Sequence, residues 1–415
     1  MRQKDIDILR GLAEQKKQIA SLKEQTENKQ LWTDTNDLKM TKAPTFINEI
    51  CWHEFKGSEE LDLQCEDALC RQKEEQLRQE IYCWNHMQGN MVVTNVLLCE
   101  LDVTHSGYGI EEESDLIELE DGTTAPSRHF HIQIKDIEDV DKIKMPTITY
   151  NKRKTQEKYQ KLQEIFDGIL RVEKTGWQGD WFTPWDNLIR LTGVSEALMD
   201  LIMKPDYVKA LVKRWVDACI SMMEQCTEQG VWASNNDNIR VGSGGYGYTS
   251  DLMPVDNLRV DAPLNQLWGC SNAQIFSDVS PQMHWDFSLQ YSMEWLKHFG
   301  LNYYGCCEPL HLKSGILRKI PNLRKVSASP WADIEMMKDK LGDICVLSVK
   351  PNPAIFVTST FDEAQAKREI KAMLEQSDGA NIELIMKDIS TLNHEPERLW
   401  KWSRIAQDTV DEFYS

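Results

Sequence analysis

Two adjacent cysteines and a glutamate, Cys306, Cys307 and Glu308, follow an apolar run in the segment LNYYGCCEPL (301–310). A thiolate is a soft metal ligand and a strong nucleophile. With a carboxylate two residues on, it could enter a tetrahedral zinc shell if other strands supplied the remaining ligands. Alternation along a strand predicts Cys306 and Glu308 on one face and Gly305 and Cys307 on the other. The two thiols are therefore expected to act apart, and a vicinal disulfide would be strained. A plainer reading competes, in which Cys307 is a buried thiol and Glu308 caps a helix beginning at Pro309.

Other apolar runs also end in polar groups. Asn48, Glu49, Trp52 and His53 follow PTFI; Asn235, Asn236 and Asp237 follow VWAS; Ser327 and Ser329 end LRKVSAS; Lys350 and Asn352 end ICVLSVKPN; Lys387 and Asp388 end IELIMKD. Barrel enzymes load their sites in this way, at the C-terminal ends of strands. Glu49 and His53 are a candidate acid–base pair, and Asp237, Lys350, Lys387 and Asp388 are further catalytic candidates. Lys350 would place a cation at the site mouth, where a substrate carboxylate could meet it. Asn48, Trp52, Asn235, Tyr248, Tyr304 and Asn352 are candidate substrate contacts. Turns and helix caps use the same residue types, so the set carries the expectation rather than any one member. The segment VGSGGYGYTSD (241–251) has no phosphate-loop lysine and no dinucleotide spacing. Its glycines predict a mobile substrate loop.

The elements that must hold these groups follow from periodicity. Ile8, Leu12, Ile19 and Leu22 predict an amphipathic helix over about 3–28. Strands are predicted at 45–47, 90–103, 129–137, LRVEKTG, VWASNND, LNYYGCCE, LRKVSASP, ICVLSVKP and NIELIMKDIST. The acidic stretch GIEEESDLIELEDGTT is predicted to be a solvated loop or hairpin. Ser280 is a predicted N-cap for the helix SPQMHWDFSLQYSMEWLKHFG, with Gly300 as its stop. Four successive strand–helix units in the C-terminal half imply a parallel sheet with right-handed crossovers. The expected fold is α/β, a (β/α)8 TIM-type barrel over 41–415. It carries an N-terminal helical extension over 1–40 and a small β-containing insertion at about 90–145.

Composition narrows the function classes. The 415 residues carry a net charge of -19. That argues against non-specific nucleic-acid binding and against docking on anionic membranes. The charged N-terminal residues do not read as a signal peptide, and no apolar run is long enough to span a bilayer. The eleven scattered cysteines read as reduced thiols, so a cytoplasmic protein is expected. The N-terminal helix hints at a homodimer.

The order of these segments resembles the uroporphyrinogen decarboxylase superfamily, which includes corrinoid-dependent methyltransferases. The resemblance runs over about 165–412. It rests on VEKTGWQGDWFTPWDNLIRLTGVSEALMDLIMKPDYVKALVKRW, on SDVSPQMHWDFSLQYSMEWLKHFGLNYYGCCEPL and on ICVLSVKPNP. In those methyltransferases the strand before the metal carries His-x-Cys-Gly-Asp, and a later strand carries a second Cys. Laid on this chain, the Cys falls on Cys306, the Asp on Glu308, the His on Tyr304 and the later Cys near Asp388, so two of the three family ligands are replaced. The resemblance implies methyl transfer between a small methylated compound, thiol or folate and a corrinoid carried on a partner protein. Zinc at Cys306, Cys307 and Glu308 would be the altered metal site. Two alternatives stay open: a lyase acting on a small carboxylic acid, and a non-catalytic accessory protein of a methyl-transfer system. The decarboxylase's arginine-rich N-terminal segment has no counterpart here.

Overall fold

A computed structural model describes residues 2–117 and 127–415. Two helices, α1 (Gln3–Ala20) and α2 (Lys23–Asn36), stand where one was expected, because Leu22 adopts an extended backbone between them. Strand β1 (Thr45–Ile47) follows, then α3 (Ala68–His86) and β2 (Val96–Glu100). Next come β3 (Val103–His105), β4 (Ser114–Ile117), β5 (Ser127–Phe130) and β6 (Ile148–Tyr150). Helix α4 (Lys152–Phe166) and β7 (Arg171–Thr175) lead to α5 (Pro184–Thr192), α6 (Val194–Met203) and α7 (Pro205–Glu228). The C-terminal half runs β8 (Trp268–Ser271), α8 (Pro281–His284), α9 (Gln290–Leu296), β9 (Leu301–Tyr304) and α10 (Ser314–Leu317). It ends with β10 (Leu323–Ala328), α11 (Ile334–Leu341), β11 (Val346–Val349), α12 (Glu363–Gln376), β12 (Ile382–Met386) and α13 (Glu397–Tyr414).

Six strands form one parallel sheet in the order β1-β12-β11-β10-β9-β8, and β2 pairs in parallel with β7 apart from it. Among the described residues the ladders do not close into the expected eight-stranded barrel. VWASNND, expected as a strand, makes only single bridges, Trp232 to Trp177 and Ala233 to Val260. Beside β8, side-chain bonds replace ladder bonds: Asn235 accepts from the Trp268 amide and donates to its carbonyl, at 2.9 Å each. The strand expected over 129–137 is confined to β5, which pairs with β4 as a hairpin. Residues 118–126, which hold the rest of the acidic stretch expected as a loop or hairpin, lie outside the described residues. Ser280 caps α8 as expected, accepting from the Met283 amide at 3.2 Å. Among the described residues no helix is long and apolar enough to cross a membrane.

The two faces of the sheet differ in chemistry. The helix-facing side is apolar, with Val326, Leu347 and Leu384 buried against the flanking helices. The other side carries buried polar groups at alternate positions: Tyr303, Lys325, Ser327, Ser348 and Glu383. Buried polar groups need partners. Lys325 pairs with Glu383 at 2.8 Å, and Ser348 donates to Glu383 at 2.6 Å.

The glycine-rich segment fills the space inside this face. The Gly245 amide donates to Glu383 at 2.9 Å, and Ser243 bonds the Tyr303 hydroxyl at 2.8 Å. A Cβ at Gly242 would overlap the Tyr303 ring, and one at Gly245 would overlap Trp32. The expected mobile loop is therefore a buried plug whose glycines allow close approach. Helix α2 clamps it from the N-terminal side, with Asn36 donating to the carbonyls of Tyr246 and Tyr248 at 2.8 and 2.7 Å.

Candidate active site

The C-terminal ends of β1, β9 and β12 converge on one cluster. Lys387, just past β12, donates to Cys306 at 3.0 Å and lies 3.9 Å from Cys307. Its ammonium is 3.2 Å from Asp388 and 3.9 Å from Glu49. Cys307 donates to Asp388 at 3.3 Å, and Arg240 pairs with Glu49 at 2.9 Å. Glu49 and Asp388 both have φ near +57° in a region that non-glycine residues seldom occupy, and the Asp388 amide donates to Glu49 at 3.4 Å. Backbone strain of this kind concentrates at functional sites.

The expected separation of the two thiols does not occur. Strand β9 ends at Tyr304, and Gly305 takes φ +97°, so alternation stops before the cysteines. The two sulfurs lie 3.5 Å apart. Glu308 neither caps a helix nor joins them. It is fully buried and accepts from the backbone amides of Cys306 at 2.9 Å and Ala273 at 3.1 Å. Burial holds its carboxyl above the usual range.

Charge sets the thiols apart from one another. The hydrogen bond from Cys307, and then the Lys387 charge, bring the Cys306 thiol down to about 7. The same bond, then burial, pushes Cys307 up. Burial works against the charge on Lys387, but Cys306 and then Glu49 outweigh it and hold that ammonium above its ordinary range. The Lys387 ammonium thus favours the Cys306 thiolate over an ordinary thiol.

A cavity of about 260 Å³ adjoins the cluster and is lined by Asp180, Trp181, Arg240, Gly242 and Cys270, among others. Burial raises the Asp180 carboxyl to about 6, which suits it to give a proton near neutral pH. Arg240 serves both the cavity wall and Glu49, so the pocket holds a cation and an acid and is joined to the thiol cluster through Arg240. Arg240 and Asp180 were missed in the sequence. Neither sits at a strand end, and Arg240 arrives on the plug, whose glycines drew attention away from it.

The donor set does not fit zinc. Glu308 turns to the backbone, Tyr304 faces the helices, and the Lys387 ammonium occupies the place a metal would take beside Cys306. Among the described residues no group of three or more His, Cys, Asp or Glu could hold a metal ion.

Other expected site residues lie elsewhere. Tyr304 is buried on the outer face, its hydroxyl 2.6 Å from His284, whose imidazole burial pushes down to about 3. His53 does not pair with Glu49; its neighbour is Glu54 at 3.9 Å. Trp52 packs on Phe55 and Tyr82. Lys350 is not at the mouth but buried, donating to Ser348 and, at 3.4 Å, to the Tyr303 hydroxyl. Asn48 holds the plug through the Gly244 carbonyl at 2.8 Å, and Asn352 caps a turn through the Ala354 amide at 3.0 Å. Asp237 pairs with Arg259 at 2.6 Å and accepts from the Tyr248 hydroxyl at 3.2 Å. These three line a separate cavity of about 470 Å³ beside α2.

No family model matches the chain, and no curated protein does. Among solved structures it is similar to a methyltransferase from Methanosarcina mazei. Identity is 13% and the TM-score 0.40, over 74% of this chain and 77% of that one.

Proposed function

We propose that the chain is a group-transfer enzyme that moves a methyl group through Cys306, within the uroporphyrinogen decarboxylase-like branch that its segment order resembles. In this reading the six-stranded sheet and the β2–β7 pair are two arcs of one irregular (β/α)8 barrel. The bridges Trp177–Trp232 and Phe182–Ser271 support that reading. The observation that carries the functional reading is the Cys306 sulfur held 3.0 Å from Lys387 at the strand ends.

The Cys306 thiolate attacks the methyl carbon of a small methylated donor. The S–C bond forms, and the bond to the leaving group breaks with its electron pair. Asp180 supplies the proton that an amine or oxygen leaving group needs, and Arg240 holds an anionic part of the donor. The methyl then leaves Cys306 for an acceptor on a partner protein, a corrinoid in this reading, and the S–C electron pair returns to sulfur. Lys387 stays charged throughout and stabilises the thiolate at the start and end.

The test runs the second step in reverse: methylcobalamin methylates the Cys306 thiolate of the purified chain and leaves as cob(I)alamin, read by mass on the Cys306 peptide. Wild type is expected to gain one methyl there, and Cys306→Ala none. Methylation of wild type at another residue in place of Cys306, or no loss of cob(I)alamin formation in Cys306→Ala, would overturn the reading. A second reading, a lyase acting on a small carboxylic acid, draws on the Arg240 and Lys387 cations, which lie on either side of Glu49. It predicts that a carboxylate substrate turns over without label reaching Cys306. Absence of both activities would favour an accessory protein.

A further inference from the structure

We propose that Cys306 and Cys307 form a reversible oxidation site, in which a hydroperoxide oxidises Cys306 and Cys307 closes on it as a vicinal disulfide. The inference rests on the reading of Cys306 as the reactive thiol of the site.

The geometry divides the labour between the two sulfurs. Cys306 lies against the Lys387 ammonium at 3.0 Å, which favours its thiolate. Cys307 is half-buried and more accessible, and its thiol donates to the Asp388 carboxylate at 3.3 Å, a ready proton acceptor. The sulfurs are 3.5 Å apart, so closure needs a shift of the turn rather than of any strand. That turn lies outside β9, beginning at Gly305 with φ +97°. The other nine cysteines offer no competing site: burial pushes each of their thiols up, from Cys51 and Cys65 through Cys270 and Cys345.

The steps balance. The Cys306 thiolate attacks the terminal peroxide oxygen; an S–O bond forms, the O–O bond breaks, and the alcohol leaves after taking a proton. Cys306 is then a sulfenic acid, oxidised by two electrons. Cys307 gives its proton to Asp388 and attacks that sulfur. The S–S bond forms, the S–O bond breaks, and the hydroxide leaves as water with the proton from Asp388. A small dithiol reverses the change by exchange and is itself oxidised. While the disulfide stands, Cys306 cannot accept a methyl group.

The experiment treats the reduced full-length protein with one equivalent of hydrogen peroxide at neutral pH, then maps peptides by mass with dimedone present as a sulfenic acid trap. In wild type the peptide holding both cysteines is expected to lose two hydrogens, to carry little dimedone, and to recover with dithiothreitol. Cys307→Ala should instead accumulate the dimedone adduct at Cys306, and Cys306→Ala should leave Cys307 unoxidised. Asp388→Asn should slow closure by about tenfold or more without slowing the first oxidation. Equal dimedone adduct in wild type and Cys307→Ala would overturn the proposal, as would a disulfide to any other cysteine. Iodoacetamide separates the two readings. Labelling at Cys306 without a disulfide removes this inference alone, whereas an inert Cys306 removes the proposed function with it.

Discussion

Lys350 and Lys387 follow neighbouring parallel strands and are each 3% exposed, yet they behave in opposite ways. Burial drives Lys350 down to about 7 against the pull of Glu383, and its hydrogen-bond partners Ser348 and Tyr303 are neutral. Lys387 is held up by a thiolate and two carboxylates. Burial thus weakens the charge of the lysine under the plug, while anionic neighbours hold a cation at the rim. The difference lies both in depth and in the charge of the neighbours. The interior uses its polar groups to hold the plug in register. The rim uses its own to hold a reactive sulfur.

Substitutions on either side put this contrast to the test. The largest effect is expected from Cys306→Ala, which should abolish methyl acceptance while leaving the thermal unfolding curve close to wild type, since it removes chemistry and little packing. Glu383→Gln strikes the interior instead. It leaves Lys325 buried without its counter-charge and should cost about 3–5 kcal/mol in urea unfolding. If it costs nothing, the interior network does not hold the plug. Lys387→Gln should keep the fold but move the midpoint of Cys306 alkylation upward from about 7 toward an ordinary thiol value. Loss of a cation that favours the thiolate raises the thiol, so alkylation slows at pH 7 and recovers as the pH rises. An unmoved midpoint would show that Cys307 alone lowers the thiol. Gly245→Ala places a methyl against Trp32 and should cost about 1–3 kcal/mol of stability, with alkylation of Cys306 unchanged. The smallest effect is expected from Lys350→Met, within about 1 kcal/mol of wild type, because burial already weakens the charge that the substitution removes.

The site was legible in part, for reasons that individual residues make plain. Glu49, Cys306, Cys307, Lys387 and Asp388 stand out as polar residues at the ends of apolar runs, and they do converge, because parallel strands carry their C-terminal ends to one edge. The same rule misplaced Tyr304 and Lys350, whose side chains the sheet turns outward and inward. It also set the two cysteines apart, since alternation was extended past the last residue of β9. Asp180 and Arg240 were invisible to it, coming from a loop and from the plug.

Local pattern along the chain was enough to establish the run of strand–helix units in the C-terminal half and the parallel sheet they build. Short-range periodicity and right-handed crossovers leave such a chain few other arrangements. It also placed polar groups after those strands. That the glycine-rich segment is a plug emerges only from the packing in three dimensions, because a glycine that permits motion and one that permits close contact look alike until Trp32 and Tyr303 are seen against it. Packing alone, too, set a lysine beside Cys306. That choice depends on two residues 81 positions apart meeting within 3.0 Å, a contact that no local pattern encodes.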